Sequence, residues 1–405
     1  MTSTPAVRIP PGQLLALGGL SALGPLSLDL YLPALPALTA DLHASEAAGQ
    51  LSLSLCLIGL ALGQLFVGPL TDRVGRRMPL LVGVALFSVA AGLCAIAPSI
   101  TVLLVVRFVG GFAGGAGIVI ARAMVRDLYA GPMLGRVFAL ITLVLGVAPV
   151  VAPLLGGLLL KVTSWRGLFV ALVVLGILLL GAAATLGETL QADRRQAGGV
   201  RTMARRVRSL LQDRGFLLPA LVGAVGVCGM FVYIAMASFV LQSSYGLSAQ
   251  QFSLVFGANA IAILLVGQLS ASLVRRVGAL ALLTAGVVVA FVAAVVMLVG
   301  VLVSGSVWVL LVPLLVLVSC TGVILPNSVA LALDGQAARA GTASAVFGLL
   351  QFAIAAAVPP LASLGGVTAV VMAWTVLGTT TAAALIRFGL GPRRDPARLA
   401  AAEGA

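Results

Sequence analysis

Charge is what this sequence has least of. Only 9% of its 405 residues are Asp, Glu, Lys or Arg, while 61% are hydrophobic. A water-soluble domain carries about a quarter charged residues, so most of this surface must face lipid, as the mean hydropathy of +1.20 also implies. Histidine is nearly absent: His43 stands alone, in a predicted outer loop. The four cysteines, Cys56, Cys94, Cys228 and Cys320, lie inside apolar runs with no two closer than 38 residues. Together these absences exclude a zinc site, a CxxC pair and a histidine-dependent triad. The one lysine, Lys161, is followed by Val162, so there is no GxxxxGK[ST] phosphate loop and no ATP-driven pump within the chain. Catalysis needs His, Cys or paired carboxylates gathered in one place, and nothing gathers them. The chain reads as a non-enzyme with no cofactor.

What is present is a succession of apolar runs, each long enough for the roughly 20 residues that cross a bilayer. Polar breaks divide them into twelve predicted spans: 13–36, 50–71, 79–98, 101–122, 135–160, 166–187, 216–241, 250–272, 279–302, 306–331, 341–362 and 367–388. The short breaks at Pro98-Ser99 and Ser304-Gly305-Ser306 rest on turn-forming residues. The N-terminal stretch enters its apolar run without a small-residue cleavage site, so it reads as a spanning helix and not as a signal peptide.

The net charge of +13 invites a nucleic-acid reading, but the placement of the charges answers otherwise. With the termini cytoplasmic, twenty-one basic residues fall on the inside, from Arg8 to Arg398, and only Lys161 and Arg166 on the outside. This is the positive-inside pattern of a membrane protein, so the expected surroundings are a lipid bilayer and not nucleic acid. Arginine in place of lysine suggests a GC-rich bacterial source, and hence the bacterial inner membrane. The polar, basic stretch Glu188–Gly215 splits the spans six and six. The expected domains are therefore 1–187, a linker at 188–215, and 216–405 with a short cytoplasmic tail. Within the linker, VRTMARRVRSLL forms either a basic amphipathic helix on the membrane surface or a disordered connection.

An internal repeat agrees with that division. Gly63-Gln64-Leu65 followed by Asp72-Arg73-Val74-Gly75 returns, about 204 residues later, as Gly267-Gln268-Leu269 followed by Arg275-Arg276-Val277-Gly278. Two such repeats imply a pseudo-symmetric bundle with a site near the midplane between them. The fold class expected is all-α: twelve transmembrane helices in two six-helix bundles.

Asp29 is the one acid well inside a predicted span. Placing a charge there costs about 2.5–3.5 kcal/mol on insertion scales, which marks it as functional. It stands about seven residues before the outer end of its span, and Arg107 about six after the outer start of another. At about 1.5 Å per residue both lie roughly 10 Å deep, and the two are expected to pair. A carboxyl holds a proton when it is buried away from cations and releases it when hydrated or paired, which suits proton coupling; a purely structural ion pair is the alternative.

Five stretches carry a resemblance. Gly68-Pro69-Leu70-Thr71-Asp72-Arg73-Val74-Gly75-Arg76-Arg77 resembles the signature inner loop of the major facilitator superfamily. Locally, Gly68 permits a close helix approach, Gly75 a tight turn, and Asp72 either an arginine pair or a seat at a helix N-terminus. The resemblance implies a conformational latch formed by Gly68, Asp72, Arg73, Gly75, Arg76 and Arg77, received by the helix that opens at Gly341-Thr342. Leu28 to Pro36 in the first span, and Ala121-Arg122-Ala123-Met124-Val125-Arg126-Asp127 after the fourth, resemble the Bcr/CflA (bicyclomycin/chloramphenicol resistance) branch of the drug:proton antiporters. Arg122, Arg126 and Asp127 are thus expected as inner-side charges. The stretch around Arg107 is similar to the superfamily's proton-transfer motif, with Gly110 where glutamine is usual. Gly146, Pro149, Pro153, Gly156 and Gly157 in the fifth span resemble the antiporter motif, with Ala152 where glycine is commoner, and a kinked helix without antiport meaning is the competing reading.

The resemblance implies an exporter of small drug-like compounds driven by the proton gradient; the alternative is an importer of a small metabolite. With a single acid in the cavity, neutral or zwitterionic, phenicol-type substrates are favoured. Tyr31, Tyr233, Asn259, Asn327 and Gln351, with Gln64 and the helix-7 residues Met230, Phe231, Met236 and Phe239, are the candidate cavity lining. Helix 7 has Ser238 where related exporters often have proline. A monomer is expected.

Overall fold

The computed structural model describes residues 11–129, 131–191, 200–336 and 339–390. Arg8 and the tail arginines Arg393, Arg394 and Arg398 lie outside the described residues, as do residues 192–199 of the predicted linker. The described chain is helical, with no strand among the described residues. In order the helices are α1 (Pro11–Asp29), α2 (Leu35–Asp41), α3 (Glu46–Val74), α4 (Arg77–Ala95), α5 (Ile100–Leu128), α6 (Gly131–Leu159), α7 (Trp165–Ala184), α8 (Val200–Gln212), α9 (Arg214–Gly226), α10 (Cys228–Phe239), α11 (Ala249–Val277), α12 (Ala279–Val303), α13 (Trp308–Ser319), α14 (Thr321–Leu333), α15 (Ala340–Ala362) and α16 (Ala369–Leu385). Eleven helical stretches among the described residues are long and apolar enough to cross a membrane; α6, at the expected fifth span, contributes the shorter apolar segment Leu143–Leu159.

Several spans are not single helices. The first was expected to run unbroken over 13–36, but α1 stops at Asp29, a 3-10 turn occupies Leu32–Ala34, and α2 carries the span on to Asp41. Pro33 and Pro36 explain the break: neither has an N–H to donate, and each ring crowds the preceding turn. The seventh span divides at Val227 and ends in a π-helical turn, Val240–Ser244. Both short breaks read from the sequence are present. Ser99 caps α5, its hydroxyl accepting from the Val102 N–H at 3.4 Å, and α12 ends at Val303, before Ser304-Gly305-Ser306.

The tightest helix pair is α3 against α5, and it rests on absent side chains. A Cβ at Gly59 or Gly63 would run into the carbonyls of Phe108 or Phe112, and one at Gly111 or Gly115 into those of Cys56 or Leu60. Backbone meets backbone here, which is how helices associate in lipid, where the hydrophobic effect cannot drive them together. The basic stretch of the linker is a helix, α8, and its Val207 and Leu210 turn to protein. Leu210 is fully buried with Phe216, Ala332, Ala343 and Phe347, with Val207 packed against them. Beside that cluster Arg339 donates to Asp213 at 3.0 Å and Gln336 to the same carboxylate at 2.9 Å.

Gly111→Val forces a branched side chain against the Cys56 carbonyl. Overpacking of this kind costs about 1–3 kcal/mol, so a clearly lowered melting temperature and poorer monodispersity in detergent are expected. Gly12→Val, where a Cβ meets nothing within 4 Å, is the control that should leave both unchanged.

Candidate functional site

Asp29 is the last residue of α1 and the only acid buried among the described residues. It borders a cavity of about 30 Å³ whose other walls include Leu53, Ser54 and Leu57 of α3, Phe231, Ile234 and Ala235 of α10, and Ala355 and Pro359 of α15. Helices from both parts of the chain therefore meet at this carboxyl. The volume holds one or two waters, far below the roughly 300–1,000 Å³ of a drug-sized pocket. Phe231 and Phe352 meet edge to face at 6.2 Å beside it.

Arg107 is also buried, but the expected pair with Asp29 is not formed. Its Nη1 donates to the Ser27 hydroxyl at 2.8 Å and its Nη2 to the Ser27 carbonyl at 3.0 Å. Its guanidinium lies over the Tyr31 ring, 4.4 Å from the centroid, with the Phe169 ring at 5.8 Å. The depth argument placed both charges at one level and ignored rotation about the helix. Ser27 and Asp29 are two residues apart, about 200° around an α-helix, so an arginine bound to one looks away from the other. Arg107 instead borders a second small cavity, with Gly110, Cys94 and Phe169, and its Nε has no partner. Two sheltering rings and a bonded serine partly offset the burial of an arginine without a carboxylate.

None of the five polar candidates borders the Asp29 cavity; of the wider candidate lining only Phe231 does. Tyr31 faces Arg107, and its hydroxyl shares a 2.8 Å hydrogen bond with Ser52. Asn327 is locked between α14 and α11, donating to the Ser270 hydroxyl at 2.8 Å and the Val323 carbonyl at 2.7 Å. Tyr31 and Asn327 were both chosen for polarity in a span, which packing uses as readily as substrate binding. Tyr233 is buried and stacks on Phe256 at 5.3 Å. Its hydroxyl and the Asn259 amide lie within reach of each other, but the geometry completes a hydrogen bond for neither. Gln351 is half-buried on α15.

In α6, Gly156 lies directly beneath the Leu30 carbonyl and Gly157 beneath the Ser253 side chain, each too close for a Cβ. Pro149 and Pro153 sit inside the same helix; the surroundings of Gly146 are outside the described residues. The antiporter-type stretch thus packs the break in the first span on one side and α11 on the other.

At the opposite end the predicted latch residues form a network within one part of the chain. Gly75, with φ of 100°, makes the turn between α3 and α4. Arg76 is buried and reaches Asp72 at 2.6 Å, Asp127 at 3.1 Å and the Thr71 hydroxyl at 2.7 Å. Arg77 donates to the Ala184 carbonyl at 3.2 Å, while Arg73, Arg122 and Arg126 are exposed. Gly68 faces Val119 of α5 at ordinary contact distance. Of the two expectations for Asp72, the arginine pair is the one formed, with Arg76, and Gly341 has open space around it. Among the described residues, the four side-chain hydrogen bonds that cross between the parts lie at the far end.

The sequence reading missed Glu188. Its carboxylate accepts from the backbone N–H groups of Arg76 at 2.8 Å and Arg77 at 3.2 Å, as well as from Thr189 and Leu190. It caps the start of α4 from a residue more than 100 positions away, a contact no local pattern announces. Partial burial raises its pKa, and these backbone donors outweigh that and hold it below the usual value.

The sequence profile of the Major Facilitator Superfamily matches residues 17–360. The chain belongs to the major facilitator superfamily. An uncharacterized MFS-type transporter of Bacillus subtilis, YdgK, is 38% identical over 93% of this chain and 95% of its own length. A bicyclomycin resistance protein homolog of Haemophilus influenzae is 30% identical over 95% and 97%, in agreement with the resemblance to the Bcr/CflA branch. Multidrug resistance protein D of Escherichia coli is 31% identical over 60% of this chain and 61% of its own. In fold, a D-xylose-proton symporter superposes with a TM-score of 0.73 at 17% identity, covering 94% of this chain and 97% of the symporter. A human organic anion transporter does so at 0.67 and 19% identity, covering 93% and 100%. The major facilitator fold of this multi-pass membrane protein is thereby established.

The Glu188 cap generates a pH prediction. A carboxylate whose folded pKa is depressed stabilises fully above its unfolded value, about 4.3, and stops doing so as pH falls through the lower folded value. Thermal stability of the wild type is therefore expected to drop as pH falls below about 4. In Glu188→Gln that acid limb should be shallower, as read by melting curves of the purified protein at stepped pH.

Proposed function

We propose that this major facilitator protein is a secondary active exporter of small drug-like compounds in exchange for protons, working by alternating access in the bacterial inner membrane. The observation that carries the reading is Asp29, a lone buried acid in a cavity walled by α1, α3, α10 and α15. An ionisable group kept there at a cost of a few kcal/mol marks a proton or substrate path. The names of the relatives support the cargo class: a bicyclomycin resistance protein homolog and a multidrug resistance protein.

In this scheme Asp29 carries a proton in the closed, dry cavity and loses it when water or substrate reaches it. Proton and cargo bind in alternation, so the inward proton gradient drives cargo outward with no bound cofactor. Because the cavity has room for water only, cargo enters only when the helices around it part. That requirement supports alternating access between units at 1–187 and 216–405, joined by 188–215, acting as a monomer. One acid in the cavity favours neutral or zwitterionic cargo, phenicols included, over polycations. Arg107 serves in this reading from the other face of α1, fixing the turn that carries Asp29 through Ser27 and Tyr31. Arg76, with Asp72 and Asp127, organises the inner loop that latches when the outside opens.

The test is transport in proteoliposomes with an imposed pH gradient, using a phenicol as cargo. The wild type is expected to accumulate cargo against its gradient. Asp29→Asn should abolish accumulation while keeping downhill exchange of cargo. Uphill transport that persists undiminished in Asp29→Asn would falsify the coupling role.

A further inference from the structure

The break in the first span leaves backbone groups in need of partners, and the seventh span, helix 7 (α9, α10 and the π-helical turn that ends it), supplies them. In an unbroken helix the Leu32 carbonyl would accept from residue 36, but that residue is Pro36 and has no N–H. The Leu32 carbonyl accepts instead from the Leu35 N–H, in a 3-10 turn, and from the Ser238 hydroxyl at 2.6 Å. The Pro33 carbonyl accepts from Gln242 Nε2 at 3.1 Å, and the same amide nitrogen donates to the Ser238 oxygen at 2.9 Å. Ser238 is fully buried near the end of α10, and Gln242 sits in the π-helical turn that follows. Single π turns inside a span are uncommon and gather at functional positions; this one stands where helix 7 meets the broken helix 1.

These bonds cross between the two parts of the chain at the end that charge placement assigns to the outside. Two others accompany them: Gln250 Nε2 to the Gly157 carbonyl at 3.1 Å, and the Ser363 hydroxyl to Gln50 Oε1 at 2.6 Å. The Ser238 and Gln242 pair differs from these in its position, because Leu32 is three residues beyond Asp29. A shift at the end of α1 is passed by covalent geometry, within one turn, to the carbonyls that helix 7 holds.

We propose that Ser238 and Gln242 form a hydrogen-bonded outer latch on the broken first helix, which holds this transporter closed to the outside and must release before the outside opens. The latch rests on the alternating-access reading above, and it assigns the gate to two polar side chains that the family resemblance did not mark. Gln242 donates to Ser238 and Ser238 to Leu32, so the three groups form one chain. Buried chains of this kind are cooperative, and loss of either side chain should release most of the latch.

The experiment uses spin labels at Val162 and Ser306, both exposed in outer loops on opposite parts of the chain, in the full-length protein in nanodiscs without cargo or gradient. The four native cysteines are buried, which favours selective labelling. Ser238→Ala and Gln242→Ala are each expected to move the distance distribution toward a longer, outward-open component. A rise of about tenfold in the open-to-closed ratio, equal to about 1.4 kcal/mol, is expected, with the double variant showing little more than either single one. Ser238→Thr keeps the hydroxyl and should restore the closed distribution, which separates the latch from a packing defect. Unchanged distributions in both alanine variants, or opening in Ser238→Thr equal to that in Ser238→Ala, would overturn the proposal. If Asp29→Asn fails to remove uphill transport while Ser238→Ala still opens the outer end, the latch stands and proton coupling at Asp29 falls.

Discussion

A helix that must break inside an apolar environment is the constraint on which the rest of this structure depends. Lipid offers no water to satisfy freed backbone groups, so irregular backbone survives only where protein covers it. Pro33 and Pro36 end α1 at Asp29, and the exposed turn is then packed on every side. Gly156 of α6 lies under the Leu30 carbonyl, Ser238 and Gln242 bind the next two carbonyls along, and Tyr31 is held under Arg107. The lone buried acid is thereby placed at the hinge between a regular helix and a segment tied to the opposite part of the chain. Charge state and backbone geometry meet at one turn.

The two buried charges near that turn have separate surroundings. Asp29 faces the cavity, with apolar neighbours and Ser54. Arg107 faces inward among α1, α4, α5 and α7, bonded to Ser27 and sheltered by two rings. This keeps the arginine from neutralising the acid directly. The residues it does contact, Ser27 and Tyr31, flank the acid in sequence.

The inner end is built on different physics. There Arg76 is buried against Asp72, Asp127 and Thr71, while Glu188 caps the same turn through backbone N–H groups. Charge-assisted bonds of this kind are directional and stronger than neutral ones, which suits a loop that must keep its shape when helices move. On the basic helix α8, Val207 and Leu210 pack onto α9, α14 and α15, so this part of its apolar pattern serves docking onto protein.

The sequence alone determined the membrane setting, the apolar runs, the short breaks at Ser99 and Ser304–Ser306, the position of Asp29 and Arg107 within spans, and the family. These follow from composition, from runs of about 20 residues and from contiguous motifs, all of which are local along the chain. It did not reveal which way a side chain points or what closes on it. The Asp29–Arg107 pair was inferred from depth and undone by helix rotation. Asn327 and Tyr31 looked like cargo contacts and are partners of Ser270 and Ser52. Glu188 and Gln242 gave no signal, and Ser238 none of the contact it makes, because each acts on backbone atoms distant in sequence, and backbone atoms are the same at every residue. Only tertiary packing decides which of them lies within hydrogen-bond reach, and that distance falls off too steeply for any local pattern to encode it.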